Sequence, residues 1–333
     1  MIRVALDAMG GDLAPEAPVK GAIAAALEWP DLSILLVGDE RQMSGVQSGN
    51  LPANVTIVHT EDVIGAGEEP VRAVRRKRES SLVKVCALVK SGEADVAISA
   101  GNTGALMAAG LFNVGRIPGI ERPALAPVFP TVDERGMLVL DVGANMDAKA
   151  VHLEQYALMG SIYAEKVLGF NRPRIGLLNV GTEAAKGNEL TKAAFPLLLE
   201  LPVNFVGNVE ARRVLHGECD VLVCDGFSGN ILLKSIEGVA ETFFAVLKTE
   251  MTRNMRSKLA AAVLKPGLSR FKGKMDYTEY GGAPLLGLKG AVVKAHGSSN
   301  DKAVQNAIKQ ARTFVERDVI GRISANLKGV ESQ

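Results

Sequence analysis

The chain of 333 residues carries 38 basic and 37 acidic side chains, and this balance excludes a general nucleic-acid binder. Hydrophobic residues make up 47% of the sequence and aromatic residues only 5%, which predicts a large aliphatic core. No apolar run reaches the ~20 residues that a membrane-spanning helix needs, and the first residues predict a strand rather than a signal peptide.

Short apolar runs alternate with helical patterns along the chain. The runs of strand length lie at 2–7, 32–38, 55–59, 94–100, 123–129, 136–142, 173–180, 203–207 and 219–225. The helical patterns lie at 18–28, 70–90, 103–113, 148–168 and 189–200. This alternation is typical of parallel strands joined by crossover helices, so we expect an α/β fold with three layers, α/β/α. Because no low-complexity linker or repeat divides the chain, we expect a single catalytic domain over 1–333.

A glycine-containing turn follows four of these apolar runs. The turns are Ser99–Gly104, Asp141–Asn145, Asn179–Glu183 and Asp225–Asn230. Glycines let backbone N–H groups approach a ligand closely, and the start of a helix favours an anion. Because ligands of open α/β sheets bind beyond the carboxyl ends of the strands, we expect a shared anion site at one edge of a sheet. Taken singly, each turn is also typical of an ordinary structural loop.

Two later loop residues are candidates for chemistry. Lys186 lies alone among small residues after a strand, which suits a phosphate clamp, although an exposed surface lysine has the same pattern. His296 suits an acid or a hydrogen-bond donor to phosphate, and the alternative is a structural hydrogen bond within its loop. The loop Glu279–Gly287 joins glycines to an apolar end.

Several common kinds of site are missing from the sequence. The four histidines lie far apart, and neither a Walker A motif nor a Gly-x-Gly-x-x-Gly fingerprint follows the first strand. We therefore expect no metal and no cofactor. Cys86, Cys219 and Cys224 lie in apolar surroundings and are expected to be reduced core residues, with a thiol nucleophile as the alternative.

A long helical pattern from Ile231 to Leu264 interrupts the alternation, and the charges toward its end are of one sign. All charged residues between Met251 and Met275 are basic: Arg253, Arg256, Lys258, Lys265, Arg270, Lys272 and Lys274. A stripe with a spacing of four residues is formed by Met251, Met255, Leu259 and Val263. Pro266-Gly267 is expected to break the helix, which predicts a helical hairpin over 228–275 with a projecting tip. The tip suits an anionic lipid surface or an acidic protein, and the alternative is a dimer interface with a basic rim.

Together these turns resemble one family, the bacterial phosphate acyltransferases of phospholipid synthesis. The resemblance runs from Asp7-Ala8-Met9-Gly10-Gly11-Asp12 to His296-Gly297-Ser298-Ser299, nearly the whole chain. Between these ends it is carried by Ser99–Ala105, Asp141–Asn145, Asn179–Gly187, Asp225–Asn230 and Glu279–Gly287. The resemblance implies a fold like that of isopropylmalate dehydrogenase and phosphotransacetylase, with a homodimer formed through long helices.

The reaction that the resemblance implies converts acyl-[acyl-carrier-protein] and inorganic phosphate into acyl phosphate and free carrier protein, feeding glycerol-3-phosphate acylation. The implied partners are phosphate, acyl-carrier protein, a second copy of the chain, an anionic membrane surface and the downstream glycerol-3-phosphate acyltransferase. The implied location is cytoplasmic, with peripheral attachment to the inner face of the cell membrane.

Phosphate is largely ionised near neutral pH and can attack a thioester without a strong base. We expect Lys186 and the turn Ser99–Gly104 to hold phosphate. Asn230, with the backbone N–H groups of Ser228 and Gly229, is expected to bind the thioester carbonyl, and His296 is a further catalytic candidate. The other expected substrate-binding residues are Asp7, Gly10, Gly11, Asp12, Ser99, Gly101, Asn102, Thr103, Gly104, Asn145, Thr182, Glu183, Asp225, Gly281 and Gly282. The expected membrane tip consists of Leu259, Val263, Leu264, Leu268 and Phe271.

Three other functions fit parts of the pattern. A phosphotransacetylase would use acyl-coenzyme A instead of carrier protein. A nicotinamide-dependent decarboxylating dehydrogenase has the same fold but needs a metal held by clustered acids, which no run of the sequence offers convincingly. A non-catalytic membrane scaffold would dock carrier protein without turnover.

Overall fold

The computed structural model describes residues 1–46, 50–274 and 281–330. Its strands are β1 (Ile2–Asp7), β2 (Leu32–Gly38), β3 (Val55–His59), β4 (Val96–Ser99), β5 (Ala124–Leu125), β6 (Val128–Phe129), β7 (Met137–Leu140), β8 (Arg174–Asn179), β9 (Asn204–Glu210), β10 (Val221–Val223), β11 (Ala283–Leu286) and β12 (Ala291–Lys294). Its α-helices are α1 (Glu16–Glu28), α2 (Glu40–Ser44), α3 (Pro70–Arg76), α4 (Ser81–Ser91), α5 (Thr103–Ala109), α6 (Ala150–Lys166), α7 (Glu189–Glu200), α8 (Gly226–Met251), α9 (Met255–Lys274), α10 (Asp301–Glu316) and α11 (Val319–Val330). A π-helical turn, Gly110–Val114, extends α5, and a 3₁₀ turn, Ala211–His216, follows β9.

The strands form two sheets. The first has the order β3-β2-β1-β4-β12-β11-β5, and the second has the order β6-β7-β10-β8-β9. Most neighbours are parallel, and β11 pairs antiparallel with both β12 and β5. The turns do not share one sheet edge as expected, because they are divided between two sheets, but residues of three of the four turns line one cleft. The turns after β1, β4 and β12 belong to the first sheet, and those after β7, β8 and β10 to the second.

Helices cover both faces of the first sheet. Val4 and Leu6 of β1 pack in one apolar cluster with residues of α1 and α10. Ala5, which points to the other face, packs in a second cluster with residues of α4 such as Cys86. Strands buried on both faces are typical of parallel sheets, and the expected three-layer α/β/α architecture is confirmed.

Helices α8 and α9 differ from the predicted hairpin in the position of the break between them. The break lies between Met251 and Met255, so Met251 does not continue the stripe of α9. Asn254 starts α9 by accepting a hydrogen bond from the Ser257 backbone N–H, at 2.9 Å. Pro266 lies inside α9 and does not end it. An interior proline leaves a carbonyl unpaired one turn earlier, and the exposed backbone there lets water satisfy it.

Candidate active site

A cleft of about 660 Å³ lies between the two sheets, bounded by loops of the first sheet on one side and by α8 on the other. Its lining includes Gly10, Gly11, Asp12, Gly101, Asn102, Thr103, Gly104, Asn230, Gly281, Gly282 and His296, all of which the sequence marked as site residues. Lys234, Glu237 and Lys294 also line it and were not expected.

The carboxyl ends of three adjacent parallel strands meet at this cleft. The strands β1, β4 and β12 are neighbours, and each is followed by a glycine at the cleft: Gly10, Gly101 and Gly297. The loops touch closely, since a Cβ at Gly10 would lie 2.6 Å from the Gly101 backbone nitrogen. Asp12 N–H donates to the Gly297 carbonyl at 2.8 Å. Only glycine permits this approach, so the glycines build one continuous backbone wall.

Asp7 and Ser99 lie behind that wall and not in the cleft. Both are buried, and Ser99 Oγ donates to Asp7 Oδ2 at 2.6 Å. Ser99 Oγ also accepts from the Gly101 N–H, and Asp7 Oδ1 accepts from the Met9 N–H. Burial raises the pKa of Asp7. These two residues hold the loops in place, which is a supporting role and not the direct contact with substrate that was expected.

Lys294 is the residue that the sequence analysis missed. It ends β12, pairs in register with Ser99 and is only 9% exposed. Its ammonium donates to the carbonyls of Ala100, at 3.2 Å, and Ala295. An ammonium carries three N–H donors, so one remains for a ligand in the cleft. Burial lowers the pKa of Lys294 from 10.5 to about 8, so that the side chain is still largely charged at neutral pH.

His296 follows Lys294 at the same wall and is half-buried. Its Nδ1 accepts a hydrogen bond from the Ser298 N–H at 3.2 Å, an arrangement in which the neutral ring carries its proton on Nε2. Burial lowers the pKa of His296, with the positive charge of Lys294 acting in the same direction. The lowered pKa favours the neutral imidazole at pH 7, which carries one N–H donor.

The opposite wall is formed by α8. Asn230, Leu233, Lys234 and Glu237 lie along one face of this helix, at the spacing that puts side chains in line. Lys234 pairs with Glu237 at 2.8 Å, and Glu237 Oε1 is buried without a hydrogen-bond partner among the described residues. The Lys234–Glu237 ion pair leaves the α8 wall without net charge, and the carboxylate of Asp12 and the ammonium of Lys294 lie at the other wall.

The backbone N–H groups expected to assist Asn230 are already used. Asp225 caps α8: its Oδ1 accepts from the Ser228 N–H, at 2.8 Å, and its carbonyl accepts from the Gly229 N–H. The prediction that the backbone N–H groups of Ser228 and Gly229 bind the oxyanion is therefore wrong. The side-chain amide of Asn230 is the remaining donor of the predicted set. Gly229 serves to pack α8 against the backbone of Asp141, since a Cβ there would clash with its carbonyl.

Asn102 and Asn145 have structural partners. Asn102 caps α5, and its amide donates to the carbonyls of Ala66, at 2.9 Å, and Glu68. Thr103 and Gly104 follow it as the first turn of α5 at the cleft. Asn145 donates to the Pro123 carbonyl and to the Tyr156 hydroxyl, and it does not line the cleft.

The loop after β8 does not reach the cleft. Thr182, Glu183 and Lys186 are exposed, and Lys186 interacts with its own loop, donating its backbone N–H to the Glu183 carbonyl. Asp225 and Ser228 line a different groove of about 630 Å³ on the far side of α8. The expected pairing of Lys186 with the turn Ser99–Gly104 is not observed, because Lys186 does not line the cleft and its neighbours Gly187 and Asn188 line the groove on the far side of α8.

Gly281 and Gly282 line the cleft beside Lys294. A Cβ at Gly282 would lie 2.4 Å from a Val293 methyl, so this position needs glycine. Glu279 and Tyr280, the first residues of the predicted loop, lie outside the described residues, as does the side chain of Phe271 at the predicted tip. The remaining tip residues Leu259, Val263 and Leu264 are exposed, and Leu268 is half-buried.

The described ranges contain no group of three metal-ligating side chains. Within those ranges no helix combines the length and the apolar character that a bilayer crossing requires. The cysteines are buried and free, and burial raises the pKa of Cys86 and Cys219 to about 12, so neither thiol is a ready nucleophile.

Comparisons with known proteins identify the family of the chain. The family model described as fatty acid synthesis protein matches residues 2–322. Proteins named phosphate acyltransferase are similar over nearly their full length: one from Brevibacillus brevis is 60% identical over 98% of both chains. Another, from Oceanobacillus iheyensis, is 59% identical over 99% of this chain and 98% of its own.

Solved structures share the fold at low identity. A phosphotransacetylase from Streptococcus pyogenes superposes with a TM-score of 0.62 at 15% identity, covering 95% of this chain and 94% of its own. A branched-chain phosphotransacylase from Enterococcus faecalis gives 0.58 at 14% identity, covering 95% and 99%. The expected phosphotransacetylase-like fold is confirmed, and the chain belongs to the fatty acid synthesis protein family, with the phosphate acyltransferases that its sequence resembles.

Proposed function

We propose that this acyltransferase converts an acyl-[acyl-carrier-protein] and inorganic phosphate into acyl phosphate and free carrier protein. The family supports the reaction type, and its relatives carry the name phosphate acyltransferase. The observation that carries the proposal is the buried ammonium of Lys294 at the point where the loops of Gly10, Gly101 and Gly297 meet. A desolvated cation beside a backbone wall is suited to a small dianion.

Phosphate binds at the wall of the first sheet, with Lys294 as its main partner. The third N–H of the ammonium donates to a phosphate oxygen, and the neutral His296 donates a further hydrogen bond. One phosphate oxygen then attacks the thioester carbon, forming a C–O bond and a tetrahedral oxyanion. The enzyme's main contribution is to hold phosphate and thioester together in the right orientation.

Asn230 of α8 stabilises the oxyanion with its side-chain amide. Collapse of the intermediate breaks the C–S bond, and the carrier protein leaves as a thiolate. A thiol of this kind has a pKa of about 8.5 by analogy with cysteine, so the leaving group needs little help from an acid. One preorganised amide donor facing the developing charge adds about a hundredfold to the rate.

The apolar part of the cleft accepts the start of the acyl chain. Leu125, Val128, Val142 and Leu233 line it opposite the glycine loops. Apolar walls with a few converging polar groups are typical of small-molecule sites. Gly281 and Gly282 border the same space and form the entrance for the acyl chain.

The test measures acyl phosphate, trapped with hydroxylamine, from acyl-[acyl-carrier-protein] and phosphate. Wild type is expected to turn over and Lys294→Met to lose phosphate saturation, while Lys186→Ala, an exposed lysine outside the cleft, serves as the matched control. Turnover with acyl-coenzyme A but not with carrier protein would instead make the chain a phosphotransacetylase. Docking of carrier protein without any turnover would make it a scaffold.

The two long helices are proposed as the contact surface for a second copy and for the membrane. Val239, Phe243 and Val246 of α8 are more than half exposed, as are Leu259 and Val263 of α9. Large exposed apolar side chains mark interaction surfaces. The apolar face of α8 fits the homodimer, and the basic α9 fits an anionic bilayer surface. There, acyl phosphate is available to the glycerol-3-phosphate acyltransferase that consumes it.

A further inference from the structure

A second basic surface lies beside the cleft on α3 and the residues that follow it. We call Arg72, Arg75, Arg76 and Arg78 the arginine patch; all four are exposed. The nearby acids are mostly engaged elsewhere: Glu69 caps α3 and Glu68 pairs with Lys77, at 2.7 Å, and with Arg76. Arg72, Arg75 and Arg78 have no carboxylate partner among the described residues. With Lys77, the patch has five basic residues against the carboxylates of Glu68, Glu69 and Glu79, so its net charge is positive.

Apolar side chains lie within the arginine patch. Val71 is 40% exposed and Phe112 is 49% exposed. The guanidinium of Arg75 stacks over the Phe112 ring, 5.5 Å from its centroid. Two shallow hollows lie on the patch. The first, of about 460 Å³, is bordered by Glu69, Val71, Arg72, Arg75 and Arg76. The second, of about 340 Å³, includes Arg75, Arg78 and Phe112 in its lining. Arginine with an exposed aromatic ring is the composition of a protein-binding surface, not that of a small-anion site.

The arginine patch is fixed to the lip of the cleft. Residues 63–66 line the cleft, and α3 starts four residues later. The side-chain amide of Asn102 fixes the segment between the cleft and α3 by donating to the carbonyls of Ala66 and Glu68. A Cβ at Gly104 would lie 2.6 Å from Pro70, the first residue of α3. A protein seated on the patch therefore stands next to the residues that line the reaction cleft.

We propose that the arginine patch is the docking surface for the acidic protein that carries the acyl thioester. The inference rests on the proposed function, which requires a large protein donor to bring a tethered thioester into the cleft. Carboxylates of the carrier protein form bidentate ion pairs with the guanidinium groups of the patch. An apolar residue of the carrier protein contacts Val71 or Phe112. Charge complementarity of this kind mainly raises the association rate.

The other basic surface, on α9, is less suited to this partner. Helix α9 packs against α8, and the part of it that the structure describes contributes no residue to the lining of the cleft. Its apolar residues are far more exposed, with Val263 at 81%. That composition favours a lipid surface.

The test compares Arg72→Glu/Arg78→Glu with Arg41→Glu/Arg317→Glu, a matched double charge reversal of exposed arginines elsewhere. Each enzyme is assayed with acyl-[acyl-carrier-protein] and with an acyl-pantetheine thioester that has no protein part. The patch variant is expected to lose about tenfold or more in kcat/KM for the protein donor, from the loss of electrostatic steering. Its kcat/KM for acyl-pantetheine and the kinetics of the control variant are expected to stay within about twofold of wild type.

Equal kinetics of the patch variant and wild type with the protein donor would overturn the proposal. So would a loss of binding to vesicles of anionic phospholipid with unchanged protein-donor kinetics, because the patch would then contact lipid. If Arg72→Glu/Arg78→Glu loses activity with both the protein donor and acyl-pantetheine, the milder variant Arg72→Gln/Arg78→Gln is assayed with both donors. A loss specific to the protein donor supports docking, and any other result overturns it. If wild type itself fails to use the protein donor, it is the proposed function that fails.

Discussion

Replacement of Lys294 by methionine tests whether this residue serves to bind phosphate or to stabilise the fold. Methionine has a similar length, so the apolar packing around β12 is retained while the ammonium is removed. A hydrogen bond to a charged group is worth about 1.5–3 kcal/mol, and each 1.4 kcal/mol is a factor of ten in binding. We therefore expect the KM for phosphate to rise about 10- to 150-fold.

The same change has two opposing effects on the stability of the fold. Burial holds the pKa of Lys294 near 8 instead of 10.5, so keeping the charged form in the folded protein at pH 7 costs about 3 kcal/mol. The variant loses two hydrogen bonds from the charged ammonium to the carbonyls of Ala100 and Ala295, worth about 1.5–3 kcal/mol each. The variant is therefore expected to be as stable as wild type or less stable by up to about 3 kcal/mol.

This stability difference has a defined pH dependence. Since the folded pKa is lowered, the unfolded chain binds more protons between about pH 8 and 10.5. The cost of the buried charge is fully present below pH 8 and disappears as the pH approaches 10.5. Urea unfolding at pH 7 and pH 10 measures this cost, and the stability of wild type relative to Lys294→Met is expected to rise at the higher pH.

The assay combines phosphate titration of acyl phosphate formation with urea unfolding of both proteins. A variant with an unchanged KM for phosphate and a clear loss of stability would refute the reasoning, because Lys294 would then be a structural residue. Lys294→Arg provides the second control. It keeps the charge but not the length, so its KM is expected to lie between those of wild type and Lys294→Met.

The remaining predictions concern the other parts of the site and the helical tip. Asn230→Ala is expected to lower kcat about a hundredfold if its amide donates to the oxyanion, and a change confined to KM would assign it to binding. The value of kcat/KM for phosphate should fall above about pH 8 in wild type as Lys294 loses its proton, and a flat profile to pH 10 would contradict this assignment. Lys186→Ala should leave phosphate kinetics within about twofold of wild type, since the side chain is exposed outside the cleft. Leu259→Glu/Val263→Glu should abolish flotation with anionic vesicles while turnover with acyl-carrier protein in solution persists; continued flotation would exclude docking through α9.

The arrangement of helices and strands was largely predictable from periodicity. The runs at 2–7, 32–38 and 55–59 coincide with β1, β2 and β3. The pattern at 70–90 is two helices, because the chain turns between Lys77 and Ser80 and a buried threonine, Thr60, holds that turn by donating to the Glu79 carbonyl. Such a contact between distant segments leaves no periodic signal in the sequence.

The division into two sheets was not predictable from local patterns. Apolar strands look alike whichever sheet they join, so turns that end in different sheets were assigned to one edge. For this reason Lys186 was paired with Ser99–Gly104, although β8 and β4 are not in the same sheet. The glycines at 10, 101 and 281 were identified correctly as cleft residues because a close approach of backbones demands glycine wherever it occurs.

Lys294 was missed although it carries a detectable signal. It is a single charged residue at the end of an apolar strand, Ala291–Lys294, two residues before the histidine that was selected. A lysine that is almost fully buried is rare without a functional reason. Its pairing with Ser99 across the sheet appears only when β12 and β4 are known to be neighbours.

A crystal structure of the enzyme with phosphate bound is the most direct test of the central claim. The account predicts phosphate at the wall of the first sheet, within hydrogen-bond distance of Lys294 Nζ and of the backbone between Gly101 and Thr103. Phosphate bound instead beside Lys186, or in the groove on the far side of α8, would contradict it.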